Sequence, residues 1–146
     1  SIILPVYKVK LDYLKEAIDS VFAQTYKKWE LCIVDDHSQS RDIEKLLESY
    51  QTRDPARVKI CLEKENHHIS ISSNIAIGMA SGDYIAFLDH DDRLFPNALG
   101  EVVRHINLKD KPDILYSDEM HINKLGDPGG VYYKPDFSPV LHLSVN

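Results

Sequence analysis

Short apolar runs and longer amphipathic stretches take turns along most of this chain. Ile2-Ile3-Leu4-Pro5-Val6 and Glu30-Leu31-Cys32-Ile33-Val34 read as strands buried on both faces, since little in them is polar. Val58-Lys59-Ile60-Cys61-Leu62 is a third strand, set off by the turn-forming Asp54-Pro55. Between the first two strands, Leu11, Leu14, Ile18, Val21 and Phe22 recur at helical spacing, which predicts a helix over residues 11–24. Ile43, Leu46, Leu47 and Tyr50 mark a second helix, with Asp42 and Glu44 favourably placed near its positive N-terminal end. A third is predicted from Ser70 to Ala80, closed by Ser81-Gly82. The stretch Asp83-Tyr84-Ile85-Ala86-Phe87-Leu88-Asp89-His90-Asp91-Asp92 then reads as a fourth buried strand. Pro96 opens a fourth helix, with Leu99, Val102, Val103 and Ile106 on one face and Lys111-Pro112 ending it. Asp113-Ile114-Leu115-Tyr116 is a fifth strand by pattern, running into Ser117-Asp118-Glu119. Beyond it, the turn cluster Gly126-Asp127-Pro128-Gly129-Gly130 joins two short strands, around Ile122 and Val131-Tyr132-Tyr133.

Strands alternating with helices define an α/β fold with a mostly parallel sheet flanked by helices. Ligands of such sheets gather beyond the carboxyl ends of the strands. On this reading those ends carry Asp35-Asp36, Asp89-His90-Asp91-Asp92 and Asp118-Glu119, three acidic clusters on one sheet edge. Carboxylates repel one another, and folding alone gives little reason to gather them; a cation does. Oxygen ligands without cysteine or suitably spaced histidine favour Mg²⁺ or Mn²⁺. No glycine-rich phosphate loop follows the first strand, so a diphosphate would enter with its metal.

Composition narrows the partners. A formal charge of −6 over 146 residues argues against a nucleic-acid binder. No apolar run approaches the ~20 residues of a transmembrane segment, and no basic leader precedes the first strand. A cytoplasmic location is expected, with any attachment to the inner face of the membrane made by parts outside these residues. Cys32 and Cys61 are expected to be small buried residues, with a disulfide or a zinc pair as the lesser alternative. The length suits one domain, residues 1–146, and the opening without methionine is expected of a piece of a longer protein.

Several motifs, in order, resemble the family 2 glycosyltransferases of the GT-A (Rossmann-like) fold. They are Ser1-Ile2-Ile3-Leu4-Pro5-Val6-Tyr7, Ser20-Val21-Phe22-Ala23-Gln24-Thr25-Tyr26, Trp29-Glu30-Leu31, and Val34-Asp35-Asp36-His37-Ser38. Asn66 through Asn74, Ala80-Ser81-Gly82-Asp83-Tyr84 and Asp89-His90-Asp91-Asp92 continue the series. Tyr116-Ser117-Asp118-Glu119 and Lys134-Pro135-Asp136-Phe137-Ser138-Pro139 are similar to a subgroup from bacterial surface-polysaccharide enzymes. The resemblance implies binding of a nucleoside-diphosphate sugar, usually UDP-linked, and inverting transfer of the sugar to a glycan or lipid-linked glycan acceptor. It implies that Pro5, Val6 and Tyr7 line the nucleotide pocket, with Asp35 or Asp36 on the base and Asn74 also binding the nucleotide. Asp89 and Asp91 correspond to the DxD acids, on ribose and metal, with Asp91 the direct metal ligand and Asp92 in support.

Two departures qualify the match. Ser73 stands where the family often has an arginine for the diphosphate, and His68 stands at a common glycine. The usual catalytic base lies past Asn146, which leaves Glu119 as the substitute base within the chain. Two other classes compete with the enzyme reading. One is a non-catalytic nucleotide-sugar-binding module, which Ser73 favours and the intact acids oppose. The other is a metal-dependent phosphatase, which would want an aspartate after the first strand where Pro5-Val6-Tyr7 stands.

Overall fold

The computed structural model describes residues 1–108, 112–123 and 126–138. The chain divides into two compact units, Ser1–His105 and Ile106–Asn146.

In the first unit, β1 (Ile2–Val6), α1 (Leu11–Phe22), β2 (Leu31–Asp35), α2 (Arg41–Arg53), β3 (Val58–Leu62), α3 (His68–Met79), β4 (Ala86–Phe87) and the start of α4 (Ala98–Leu108) follow in order. The strands make one parallel sheet in the order β3-β2-β1-β4. Alternation along β1 and β2 sorts the core onto two faces. Ile2, Leu4, Val6, Leu31 and Ile33 meet Leu14, Ile18 and Val21 of α1 and Ile43, Leu47 and Tyr50 of α2. Ile3, Cys32 and Val34 meet Ala76 of α3 on the other side. Both faces of β1 and β2 are therefore covered, which is why their sequences are apolar throughout. Cys32 is buried and Cys61 half-buried, both as free thiols.

The fourth strand corrects the sequence reading. It pairs with β1 over two residues, Ala86 and Phe87, and it is not buried on both faces. Ala86 and Leu88 join the cluster under α1 and α2, whereas Ile85 and Phe87 are 43% and 65% exposed. The cause is coverage: α3 lies over β1 and β2, and leaves this edge strand bare on its side.

In the second unit, β5 (Glu119–Ile122) pairs antiparallel with β6 (Pro128–Tyr132), matching Glu119 to Tyr132 and Met120 to Val131. This is the expected pair of short strands. Gly126, at φ 84°, supplies the left-handed turn residue between them. The expected fifth strand at residues 113–116 is not a strand. Ile114, Leu115 and Tyr116 are exposed, and the Tyr116 hydroxyl donates to the Pro135 carbonyl at 2.9 Å. A run of three apolar residues carries too little period to fix a strand without a pairing partner. Consequently Asp118 and Glu119 belong to the hairpin, not to an end of the parallel sheet. Among the described residues no helix is long and apolar enough to cross a membrane.

A polar knot closes the amino-end side of the parallel sheet. Glu30, just before β2, accepts from the Ser1 hydroxyl (2.6 Å), the Ser81 amide (2.5 Å) and the Gly82 amide (3.1 Å), and pairs with Lys59 of β3 (2.7 Å). A Cβ at Gly82 would lie 2.8 Å from Ser1 Oγ and 3.0 Å from the Ser1 nitrogen, so a larger residue there would force Ser1 to shift. Burial alone would raise the Glu30 carboxyl, but Lys59, Ser1 and Ser81 outweigh it and hold the group well below the usual carboxylate range. A lowered folded-state pKa adds stability above the unfolded value, and that stability is lost as pH falls. Urea unfolding between pH 7 and pH 3 is expected to show this loss beginning near the ordinary Glu value of 4.5. Glu30→Gln should cost about 2 kcal/mol at pH 7 and flatten the acid limb; an unchanged acid limb would show that Glu30 carries none of it.

Candidate active site

The carboxyl ends of β1, β2 and β4 and the amino end of α3 surround a cleft of about 420 Å³. Each wall comes from one element. The β1 end gives Pro5, Val6 and Tyr7, the β2 end gives Asp36, and the stretch after β4 gives Asp89, His90 and Asp91. Asn66, His68, Ile69 and Ser72, from the start of α3 and the loop before it, complete the lining.

The two β2 acids have different surroundings. Asp35 is committed locally: its Oδ1 accepts from the Ser38 hydroxyl and its Oδ2 from the Ser38 amide. Ser38 Oγ in turn accepts the Lys8 amide at 2.9 Å, which ties the loop after β1 to the loop after β2. Asp36 lines the cleft although it is only 3% exposed. Its amide donates to Val6, its Oδ1 accepts the His67 amide at 2.7 Å, and its carbonyl accepts Asn66 Nδ2. Asn74 lies on an exposed position of α3 and is not part of the lining.

Helix α1 holds the loop that carries the remaining acids. Its Ser20 hydroxyl accepts the Leu94 amide at 3.1 Å, and Glu16 pairs with Arg93 at 3.3 Å. One turn on, Gln24 is fully buried, with every amide group used. Its Nε2 donates to the Ser20 and Phe95 carbonyls, and its Oε1 accepts the Leu99 amide at the start of α4. The loop over 89–99 thus leans on α1 rather than on the two-residue pairing of β4.

Asp89 and Asp91 are exposed to the cleft, Asp91 by 58% of its side chain. His90 Nδ1 is shielded from solvent without a hydrogen-bond partner, 3.5 Å from Asp91 Oδ1. Among the described residues no group of three or more His, Cys, Asp or Glu is arranged to hold a metal by itself. Two open carboxylates on a cleft nevertheless fit Mg²⁺ or Mn²⁺, which commonly take one or two protein acids and complete their shell with substrate phosphates. Glu119 is in the second unit, where it heads β5 and pairs with Lys134; Asp118 accepts the Lys134 amide.

Sequence reasoning assigned no role to Ile69, Ser72 or His90, and treated His68 only as a departure. Their signal was topological: the amino end of a helix after a parallel strand lies on the ligand edge of the sheet.

Residues 1–123 match the profile of Glycosyl transferase family 2. The chain belongs to that family. An O-antigen biosynthesis protein of Myxococcus xanthus is 30% identical over 146 residues, all of this chain and 11% of that protein. A Staphylococcus aureus TarS 1-349 structure in complex with UDP-GlcNAc shares the fold at TM-score 0.66 and 24% identity, over 73% of this chain and 30% of that one. A mannosyltransferase of Pyrobaculum calidifontis with GDP-Man and Mn²⁺ does so at TM-score 0.64 and 21% identity, over 72% of this chain and 31% of that one. These neighbours bear out the GT-A fold. The chain spans between 11% and 43% of the length of the curated relatives it matches.

Gln24→Ala is expected to strand the Leu99 amide and the Phe95 carbonyl and to cost about 3 kcal/mol. Urea unfolding measures it; a loss under about 0.5 kcal/mol would mean that α1 does not hold the loop.

Proposed function

We propose that this family 2 domain binds a UDP-linked sugar with a divalent metal, and that the longer protein transfers the sugar with inversion to a cell-surface glycan or its lipid-linked precursor. The observation that carries the reading is the convergence of Asp36, Asp89 and Asp91 on one cleft at the carboxyl ends of β1, β2 and β4. The ligands named for the two structural neighbours, and the O-antigen role named for the relative, support the donor and acceptor classes.

In this reading Tyr7, with Pro5 and Val6, borders the base, and Asp36 accepts from its edge while the His67 amide fixes the carboxylate. Asp35 shapes that wall through Ser38. Asp89 and Asp91 would hold Mg²⁺ or Mn²⁺ together with the donor diphosphate, and Asp89 would also meet the ribose. The cation, when bound, offsets charge on the departing diphosphate. The acceptor oxygen forms a bond to the anomeric carbon as the carbon–phosphate-oxygen bond breaks, and the hydroxyl proton passes to a carboxylate base. The family resemblance assigns that base to residues past Asn146, with Glu119 as the substitute to be tested.

Calorimetry with UDP decides the metal role. Binding is expected to need Mn²⁺, and Asp91→Ala should weaken it at least about tenfold; equal binding without metal in both proteins would overturn the assignment. In the longer protein, Glu119→Gln is expected to change kcat by less than about threefold. A fall of about 10² or more would make Glu119 the base.

A further inference from the structure

The hairpin unit carries two sequence motifs that the donor cleft leaves without a role, and the fold ties them together. The Tyr116 hydroxyl donates to the Pro135 carbonyl at 2.9 Å, and Asp118 accepts the Lys134 amide at 2.9 Å. The Lys134 ammonium pairs with Glu119. These links hold the two strands together beyond the residues that pair in β5 and β6.

Register and alternation sort the side chains of this clasped hairpin onto two faces. Tyr132, Gly130 and Pro128 of β6 share one face, with Glu119 opposite Tyr132 and Ile122 opposite Pro128. Tyr132 is 54% exposed and the Glu119 side chain 60%. A Cβ built on Gly130 would meet nothing within 4 Å among the described residues. An open step therefore lies about 7 Å along the strand from Tyr132, two residues away. The face joins an exposed tyrosine, this open step and a carboxylate–ammonium pair.

Size and charge select the occupant. The five residues of β6 at about 3.4 Å each, beside a second strand, make a face about 17 Å by about 10 Å. That is about 170 Å², far short of the ~800 Å² that each partner covers in a stable protein–protein interface. Glu119 and Lys134 cancel in charge, which gives a polyanion or a polycation no field to follow. Together they offer one ligand both acceptors and donors, as hydroxyl groups need. A pyranose completes the match. Its C–H face carries partial positive charge and suits the negative face of an aromatic ring, while its hydroxyl rim donates and accepts.

We propose that this face of the β5–β6 hairpin binds the acceptor glycan as a neutral oligosaccharide. One sugar ring stacks on Tyr132, the next lies over Gly130, and hydroxyls bond to Glu119 and Lys134. This rests on the glycan-acceptor reading above and names the residues that receive that glycan. Glu119 here accepts from a hydroxyl and takes no proton.

The test uses the full-length protein, with chitotriose and mannotriose followed by ligand-observed NMR and with UDP and GDP followed by calorimetry in Mn²⁺. Wild-type protein is expected to bind at least one of the trisaccharides with millimolar affinity. Tyr132→Ala should weaken that binding about tenfold, and Tyr132→Trp, which keeps an aromatic platform, by less than about twofold. Gly130→Val should weaken it as well, because its side chain fills the open step. All three variants are expected to keep the nucleotide affinity and the melting temperature of the free protein. No trisaccharide binding by a wild type that binds UDP or GDP would overturn the docking face. Equal binding by Tyr132→Ala and wild type would do the same. A lowered melting temperature in Gly130→Val would show that another part of the long chain covers the face, and would overturn it too. Trisaccharide binding by a protein that takes neither UDP nor GDP would instead overturn the donor reading and leave the hairpin assignment standing.

Discussion

The buried carboxamide of Gln24 is the interaction on which the site depends most. β4 is paired over two residues and bare on one side, which is too little to aim a loop of acids. Gln24 offsets this by joining the end of α1 to both the Phe95 carbonyl and the Leu99 amide. Thr25 repeats the link through the Pro96 carbonyl at 2.8 Å. The acids are therefore fixed from behind, by a helix whose other face is anchored in the core through Leu14, Ile18 and Val21. A single buried polar side chain can do this because each of its donors and acceptors is used; partly satisfied, it would weaken the structure instead.

Legibility in the sequence followed burial. β1 and β2 lie between two covered faces, so pattern and structure agree almost residue for residue. α1 and α2 present one buried stripe each, and the period shows it. The stretch after Gly82 looked the same in sequence, yet Ile85 and Phe87 are exposed, since pattern reports how apolar a residue is and not whether anything covers it. Residues 113–116 fail as a strand for the related reason that pairing is non-local. In the site, acids announced themselves because like charges need a reason to gather. Ser72 did not, because a serine on a helix is ordinary until its hydroxyl is seen to be enclosed and alone.

Charge decides whether an acidic wall could accept the proposed anionic donor. Asp36, Asp89 and Asp91 on one cleft repel a diphosphate unless a cation stands between them. A family arginine at residue 73 would contribute a full positive charge; with Ser73 there, the proposed reading leaves that balance to the metal. If the donor binds as proposed, its affinity would depend on the metal more than it would with an arginine in place.

Strain and stability are held at opposite ends of the sheet. The left-handed residues other than glycine among the described ones are Lys8, His37, Gln39 and His68, and all follow the carboxyl ends of β1, β2 and β3. Each costs about 1–3 kcal/mol and survives only where its surroundings over-determine it. The surroundings here are the Ser38 relay between two loops and the Asp36 contact to His67. The Glu30 knot at the other end joins residue 1, β3 and the entry to β4 without any such strain. Were the strain a by-product of a poor fold, it would be scattered. Its confinement to the carboxyl ends of the strands is what the proposed site, held ready in advance, would require.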